Sequence, residues 1–373
     1  MNLSKFVFAF LLVCFIASLP SVAQNRREVA IPDILGYQTL KCDFHMHTVF
    51  SDGDVWPTVR VQEAWLDGLD VIAITDHIEY LPHSQDIEAD HNRSFEIAKP
   101  LADQMGVLLI RGTEITRKMP PGHLNAIFIK NANLIEREDW WEACVEAQEQ
   151  GAFVFWNHPG WKAQQPEKTL WWSEHTRLLN AGILKGIEVF NYDEYYTEAL
   201  KWADEKKLTM LANSDVHSPI GMTYPVGQKT RPMTLVFAVD KTEEAVKAAL
   251  LDQRTAVYFN NTIMGDRRFL TPIFINSIKV MSQKIGLKNQ DISRLQIHNS
   301  SDVPFLLKQR QPSVGFSCPD DILLEPHRTV TIELTGTSDE VAQMSVLKMF
   351  YEVTNLITKK GENLPVNIDV PNR

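Results

Sequence analysis

The chain has 373 residues and a composition that is 44% hydrophobic and 23% charged, which is typical of a well-packed globular protein long enough for two domains. Its formal net charge of −10 at pH 7 argues against nucleic acid or an anionic membrane as a partner, because like charges repel at long range. The sequence contains no repeat or low-complexity tract.

The N-terminal segment has the features of a secretory signal peptide. Lys5 supplies a positive charge, residues 6–16 form an apolar stretch, and Ser21, Val22 and Ala23 form a small-residue cleavage site. The apolar stretch is short for a membrane span of about 20 residues. We therefore expect cleavage of residues 1–23, export to the periplasm or the medium, and no membrane association afterwards.

A first domain is predicted over residues 24–270. From residue 37 to about 260, apolar strand-like runs alternate with amphipathic helical runs, and several strands are apolar on both faces, which is typical of a parallel sheet covered by helices. The predicted strands are 40–45, 69–75, 107–112, 152–157, 186–191, 208–214 and 234–239. The predicted helices are 58–67, 93–104, 137–150, 194–207 and 242–253, and residues 124–130 are predicted to form a hairpin with the third strand.

Seven strand–helix units with polar side chains at the strand ends favour a closed or nearly closed α/β barrel over an open doubly wound sheet. The sequence has no glycine-rich dinucleotide fingerprint and no phosphate-binding loop, which weakens the open-sheet alternative. Both architectures place the active site at the carboxyl ends of the strands.

The pattern changes after about residue 271. Short segments rich in β-branched and aromatic residues, separated by turn residues, predict a small all-β sandwich over residues 271–373. These segments are 277–282, 293–299, 329–335 and 346–354. The histidines of this region, His298 and His327, are isolated and have no predicted metal role. Cys42, Cys144 and Cys318 are widely spaced, and we expect them to be structural.

Potential metal ligands follow the predicted strands of the first domain. Side chains at i and i+2 of a strand point to the same side, so His45 and His47 are expected to face one point beyond the first strand. Later strands end in similar donors, and the combined set is His45, His47, Asp52, His77, Glu114, His123, His158, Asp215 and His217. Nine donors suit two or three divalent ions. Three such ions would exceed the charge of three carboxylates, and the remaining positive charge favours a phosphate ester as the substrate.

With these motifs, the chain resembles the polymerase and histidinol phosphatase (PHP) family of metal-dependent phosphoesterases over about residues 37–260. The resemblance implies a distorted (β/α)7 barrel that holds up to three ions. It assigns the first ion to His45, His47, Glu114 and Asp215. It further implies that Glu114 bridges to a second ion held by His123 and His158, and that a third ion is held by Asp52, His77 and His217. Mn²⁺, Zn²⁺ and Fe²⁺ remain open as the metals.

The expected reaction is hydrolysis of a small organic phosphate ester by a hydroxide that bridges two ions, since bound ions lower the pKa of water. Asp215 is the candidate for the residue that transfers the proton in this reaction. Arg117 and Lys162 are the candidate cationic clamps for phosphate, with solvated surface charges as the alternative for both. A tryptophan cluster after the fourth strand is expected either to pack the barrel or to form a wall for the leaving group; it comprises Trp156, Trp161, Trp171 and Trp172.

Other functions are compatible with parts of this pattern. Metal-dependent amidohydrolases also begin with His-x-His after a first strand, but those with two ions commonly bridge them with a carboxylated lysine in the fourth strand, and residues 152–157 contain no lysine. A non-catalytic exported metal-binding protein would need fewer donors and would often use cysteines. The sequence leaves open whether the ester is a monoester or a diester. It also leaves open whether the second domain forms a homodimer or covers the barrel mouth.

Overall fold

The computed structural model describes residues 26–87, 90–226, 228–282 and 284–372, so the predicted signal peptide lies outside the described residues. Eleven strands belong to the first part of the described chain: β1 Gln38–Asp43, β2 Val71–Ile74, β3 Leu108–Ile115, β4 Leu124–Ile127, β5 Phe153–Trp156, β6 Leu184–Asn191, β7 Glu194–Tyr195, β8 Thr209–Asn213, β9 Met233–Ala238, β10 Thr255–Phe259 and β11 Thr262–Gly265. The helices of the described chain are α1 Pro57–Leu66, α2 Arg93–Met105, α3 Trp140–Glu149, α4 Ser173–Asn180, α5 Thr197–Glu205, α6 Ile220–Thr223, α7 Glu243–Leu251 and α8 Arg267–Ser277.

The strands of the first domain form a distorted barrel in the order β9-β1-β2-β3-β4-β5-β6-β8. The pairs β1–β2, β2–β3, β5–β6 and β6–β8 are parallel. Strand β4 is antiparallel to both of its neighbours, which confirms the predicted hairpin with β3. Between β8 and β9, the Thr234 hydroxyl donates to Ala212 O at 3.0 Å and accepts from Ala212 N at 2.9 Å. Side-chain bonds therefore connect the two ends of the barrel.

Local sequence signals explain several helix ends. Helix α1 begins with Pro57, whose missing N–H would have no partner in the first turn of a helix. The Asp139 carboxylate precedes α3 and accepts hydrogen bonds from Trp141 N and Glu142 N. Helix α2 ends at Gly106, which has a φ of 69° that glycine adopts without strain. Strand β2 is buried along its whole length, as the apolar run predicted.

The C-terminal residues form the predicted small β sandwich. Its strands are β12 Ile278–Val280, β13 Ile292–Asn299, β14 Phe305–Gln311, β15 Phe316–Ser317, β16 Asp321–Leu324, β17 Thr329–Gly336, β18 Val346–Thr358 and β19 Asn363–Pro371. One sheet has the order β12-β13-β17-β15 and the other contains β16, β14, β18 and β19. Buried and more exposed residues alternate along β18 and β19, as in a sheet with one face in a core. The predicted α/β barrel with a β sandwich is thus confirmed.

The structure differs from the sequence-based expectation in several places. Strand β9 runs antiparallel to β1, so the barrel is less regular than a run of seven strand–helix units suggests. Helix α4 was not predicted. Helix α8 crosses the predicted domain boundary at residue 270, and the β10–β11 hairpin pairs with β18, so the barrel sheet continues into the sandwich.

The membrane-spanning potential of the helices and the state of the cysteines also bear on the sequence-based predictions. Within the described ranges, no helix is both long and apolar enough to span a membrane. Cys42, Cys144 and Cys318 are free thiols; the first two are buried and Cys318 is half-buried.

Candidate metal centre

The two histidine-rich segments of the centre pair with each other beyond the ends of β1 and β8. His47 N donates to Val216 O at 3.0 Å, and Asp215 N donates to His45 O at 2.9 Å. An isolated parallel β-bridge also joins His77, which follows β2, to Glu114, which lies in β3. Because neighbouring strands end at one edge of the barrel, residues as far apart in the sequence as His45 and His217 present their side chains to the same space.

A first cluster contains four donor atoms around one point. His45 Nε2 lies 3.1 Å from each of His47 Nε2, Glu114 Oε2 and Asp215 Oδ1. His47 Nε2 lies 3.2 Å from Glu114 Oε2 and 3.1 Å from Asp215 Oδ1. A tetrahedral ion with ligand distances of about 2.0–2.2 Å would separate its ligands by roughly 3.3–3.6 Å. His45, His47 and Glu114 are thus close enough to share one small divalent ion, and Asp215 Oδ1 lies 3.1 Å from both histidine nitrogens.

The other oxygen of Glu114 belongs to a second cluster. Glu114 Oε1 lies 2.7 Å from His123 Nδ1 and 3.8 Å from His158 Nε2. Although Glu114 Oε1 and His123 Nδ1 are close, their geometry is not that of a hydrogen bond, and both atoms are buried without a hydrogen-bond partner. Buried polar atoms almost always have a hydrogen-bond partner. Two unpartnered atoms that face each other and can both bind a metal therefore fit a cation between them. Glu114 is therefore placed to bridge two ions.

A third cluster lies on the outer side of His47. Asp52 Oδ1 is 3.4 Å from His77 Nε2 and 3.3 Å from His217 Nε2. His77 Nδ1 lies 2.6 Å from the Thr116 hydroxyl, a contact that leaves Nε2 as the ligating atom. Four side chains of this cluster lie close enough to share an ion: His47, Asp52, His77 and His217. The structure thus brings all nine predicted donors together.

Glu188 on β6 supports the first cluster and was not predicted from the sequence. Its carboxylate is fully buried and lies 2.9 Å from His45 Nδ1. It also accepts hydrogen bonds from Asn213 Nδ2, Asn191 Nδ2 and His158 N. A carboxylate on the far nitrogen of a ligating histidine fixes the ring and its tautomer. The available signal was a single acidic residue inside a predicted buried strand.

Arg60 and Asp76 hold the loops that carry the ligands. The buried Arg60 guanidinium donates to His47 O at 2.8 Å and to Val216 O at 3.0 Å, so it ties the two paired segments together. The Asp76 carboxylate accepts from Thr48 N at 2.7 Å and from the Ser51 hydroxyl at 2.9 Å. These bonds order the turn that leads to Asp52. The sequence motif contained Asp76 but did not reveal its role.

Two ligands have backbone angles that non-glycine residues rarely adopt. His158 has a φ of 28° and Asp215 has a φ of 50°. Such conformations cost free energy and persist where the surroundings enforce them, which happens often at functional sites. For Asp215, the enforcing contacts include the bond from its N–H to His45 O.

The comparison with solved structures identifies the family. The chain superposes on the crystal structure of a two-domain protein containing a predicted PHP-like metal-dependent phosphoesterase from Bacteroides vulgatus ATCC 8482, with a TM-score of 0.87 and 44% sequence identity. The match covers 93% of this chain and 100% of that chain. The chain belongs to the PHP-like metal-dependent phosphoesterases. The expectation of a metal-dependent hydrolase is thereby confirmed.

Other comparisons concern parts of this PHP-like protein. Residues 278–369 match the model of an Ig-like domain family. An uncharacterized protein of Methanocaldococcus jannaschii is 37% identical over 82 residues, which is 22% of this chain. The match covers 36% of that relative's length.

The buried imidazoles and carboxylates of the metal centre shift one another's pKa values. Burial alone would lower the pKa of His45, but the carboxylates of Asp215, Glu188 and Glu114 raise that pKa well above its ordinary value. Burial opposes ionisation of Asp215 as well, yet His45, His47 and His217 hold the pKa of this carboxyl well below its usual range. The raised pKa values of His45, His77 and His217 favour protons on these three imidazoles when no ion is bound, so metal ions and protons compete for the same atoms.

His217 gives a measurable consequence of this competition. Burial lowers its pKa, but the hydrogen bond to Asp52 and the charge of Asp215 raise the pKa to about 9. We expect ion binding near pH 7.5 to release protons, which calorimetry in buffers of different ionisation enthalpy would measure. The raised pKa also stabilises the metal-free fold fully below about pH 6.5, and this contribution disappears as the pH rises through 9.

The control for the pH prediction is His217→Gln. The melting temperature of the metal-free wild type should fall between pH 6.5 and 9.5 relative to that of the variant, and this difference should shrink when ions are bound. Equal proton release by wild type and variant would contradict the prediction.

The predicted phosphate clamps do not lie at the metal centre. Arg117 forms an ion pair with Glu79 at 2.9 Å and donates to Arg137 O, so the Glu79 carboxylate neutralises its charge. Lys162 is exposed and lines a neighbouring cavity. The cavity above the ligands has a volume of about 520 Å³, and none of the described residues that line it is lysine or arginine.

The tryptophan cluster after β5 is divided between the two predicted roles. The Trp156 ring is buried and stacks on His175 with ring centroids 3.6 Å apart, and Trp171 packs beside both rings. Trp161 instead lines the cavity, is 41% exposed, and contacts the His158 ring edge to face at 5.1 Å. Packing therefore accounts for the first two residues, and Trp161 forms part of the cavity wall.

Proposed function

We propose that this protein hydrolyses phosphate monoesters or diesters of small organic alcohols, using two or three divalent ions held by the nine donors. The observation that carries the proposal is the bridging position of Glu114, whose two oxygens belong to two adjacent clusters. Membership in the PHP-like family supports the same reaction. The ions that fit these nitrogen and oxygen donors are Mn²⁺, Zn²⁺ and Fe²⁺.

Hydrolysis forms a bond from a water oxygen to phosphorus and breaks the bond from phosphorus to the ester oxygen. The electron pair of the broken bond stays on the ester oxygen, which takes up a proton and leaves as an alcohol. Divalent ions held by the nine donors would supply Lewis acidity to the phosphoryl oxygens and would make water a better nucleophile. Because the cavity wall lacks lysine and arginine among the described residues, these ions are the proposed counter-charge for the phosphate.

Asp215 is our candidate for orienting the attacking water. It lines the cavity, and its low pKa keeps it ionised at neutral pH. A carboxylate of low pKa is a weak base, so we infer that its main contribution is to accept the hydrogen bond that aims the water. Export to the periplasm or the medium, as the N-terminal sequence suggests, would place this activity where organic phosphates can be scavenged.

The proposal is tested with metal-free protein reloaded separately with Mn²⁺, Zn²⁺ or Fe²⁺. We expect release of p-nitrophenol from p-nitrophenyl phosphate or bis(p-nitrophenyl) phosphate only after reloading, with p-nitroacetanilide as the amide control. Full metal occupancy, measured by elemental analysis, without turnover of either ester would refute the proposal. Turnover of the amide alone would favour the amidohydrolase alternative.

A further inference from the structure

A second cavity of about 500 Å³ adjoins the one above the metal ligands. Two chain segments line both cavities. The segment after His158 contributes Trp161 to the first cavity, and Gly160 and Lys162 to the second. The turn around β7 contributes Glu194 and Tyr196 to both. The two cavities are therefore neighbouring parts of one cleft.

The contact between these two segments is tight. A Cβ atom on Gly160 would come within 2.5 Å of the Tyr196 ring and 3.0 Å of the Thr169 hydroxyl, so only glycine fits here without movement of its neighbours. The Tyr196 hydroxyl donates to Glu194 Oε2 at 2.7 Å. Burial and this carboxylate raise the pKa of Tyr196, so the phenol stays protonated. The segment after His158 and the turn around β7 are thus packed closely against each other.

The lining of the second cavity is polar and of mixed charge. Two lysines and three glutamates are accompanied by the hydroxyl groups of threonine and tyrosine; the charged residues are Lys162, Lys168, Glu167, Glu194 and Glu198. Because the numbers of positive and negative side chains are nearly equal, the second cavity should have little preference for a strongly charged ligand. They offer many hydrogen-bond donors and acceptors, since a carboxylate accepts several hydrogen bonds and an ammonium donates three. Glu194 retains acceptor capacity beyond its bond to Tyr196.

The geometry points to the second cavity as the subsite for the leaving group of the phosphate ester, with a hydroxyl-bearing ring such as a sugar or nucleoside as its ligand. This inference rests on the proposed function, which places the phosphate at the ions. Trp161 lines the first cavity, lies between Gly160 and Lys162 of the second cavity in the sequence, and has a 41% exposed side chain that can pack against such a ring. The size of the second cavity is also within the range of small-molecule sites.

The experiment compares two esters within the class, monoester or diester, that the metal-loaded enzyme hydrolyses. For monoesters these are p-nitrophenyl phosphate and adenosine 5′-phosphate, and for diesters they are the corresponding methyl esters, with release of p-nitrophenol or adenosine measured. Thr169→Trp fills the second cavity and should lower the ratio of kcat/KM for the adenosine ester to that for the aryl ester by about tenfold.

Lys168→Ala is the second variant, because Lys168 is exposed and its truncation should not disturb folding. It should lower the same ratio through loss of a hydrogen-bond donor. Lys201→Ala is the matched control, since Lys201 is an exposed lysine on α5 and pairs with Glu205. An unchanged ratio in both cavity variants would overturn this inference alone. Failure of the wild type to hydrolyse any ester would overturn the proposed function and this inference with it.

Discussion

Glu114→Gln is expected to abolish binding of two ions and to lower kcat/KM for phosphate esters by at least about 100-fold. Loss of an outer partner of a metal ligand commonly costs 10–100-fold, and Glu114 is itself the proposed ligand of two ions. The amide keeps the shape of the side chain but loses the negative charge that faces His45, His77 and His123. Elemental analysis should show the loss directly, and kinetic assays at saturating metal should show the rate effect.

The matched control for Glu114→Gln is Glu79→Gln. Glu79 is a nearby carboxylate that accepts from Thr116 N at 2.7 Å and pairs with Arg117, but it belongs to none of the three clusters. The control should retain all ions. If Glu114→Gln kept the wild-type metal content and rate, the bridging role of Glu114 would be wrong. If both variants lost ions equally, general disturbance of this edge of the barrel would be the better explanation.

Strand geometry limits where side chains point, which explains why the nine predicted donors lie near one another in the structure. Alternation along a strand put His45 and His47 on one side, and the same logic applied to Asp215 and His217. Parallel strands end at one edge, so polar residues at successive strand ends could be expected to meet. The structure adds which atoms lie near each other, including the two separate contacts of Glu114.

The direction of long side chains and the direction of strand β9 depend on tertiary contacts that leave no local pattern in the sequence. Arg117 follows Glu114 closely and was expected to face phosphate, but Glu79 and Arg137 O engage its guanidinium. A nearby position in the sequence does not determine the direction of a long, flexible side chain. Strand β9 likewise has the apolar pattern of a parallel strand, and only its pairing with β1 shows that it runs antiparallel.

Glu188 shows most clearly what the sequence could not reveal. A buried carboxylate is costly unless several donors surround it, and here the donors come from β1, β5, β6 and β8 or the residues just beyond them. No single segment of the sequence contains this arrangement. Since the carboxylate contacts His45 on the side opposite the first cluster, it can influence that cluster without contacting an ion.

Glu188→Gln is expected to weaken ion binding at the first cluster by about 10–100-fold. Its amide nitrogen would face at least one of the donors that now point at the carboxylate, namely Asn191 Nδ2, Asn213 Nδ2 and His158 N. An unsatisfied buried donor costs about 1–3 kcal/mol, so the melting temperature should also fall. Titration of metal-free protein with Zn²⁺ should show the loss at the first cluster and an unchanged affinity at Asp52, His77 and His217.

A control separates the loss of stability from the loss of metal affinity. The Thr255 hydroxyl is buried on β10 and donates to Met210 O at 3.0 Å, and neither residue is one of the proposed ligands. Thr255→Val should therefore lower the melting temperature without changing the affinity of any ion. If Glu188→Gln behaved in the same way, Glu188 would serve only to stabilise the barrel. A selective loss at the first cluster would instead establish that Glu188 positions His45, because a carboxylate that fixes the Nδ1 proton leaves Nε2 free to bind the ion.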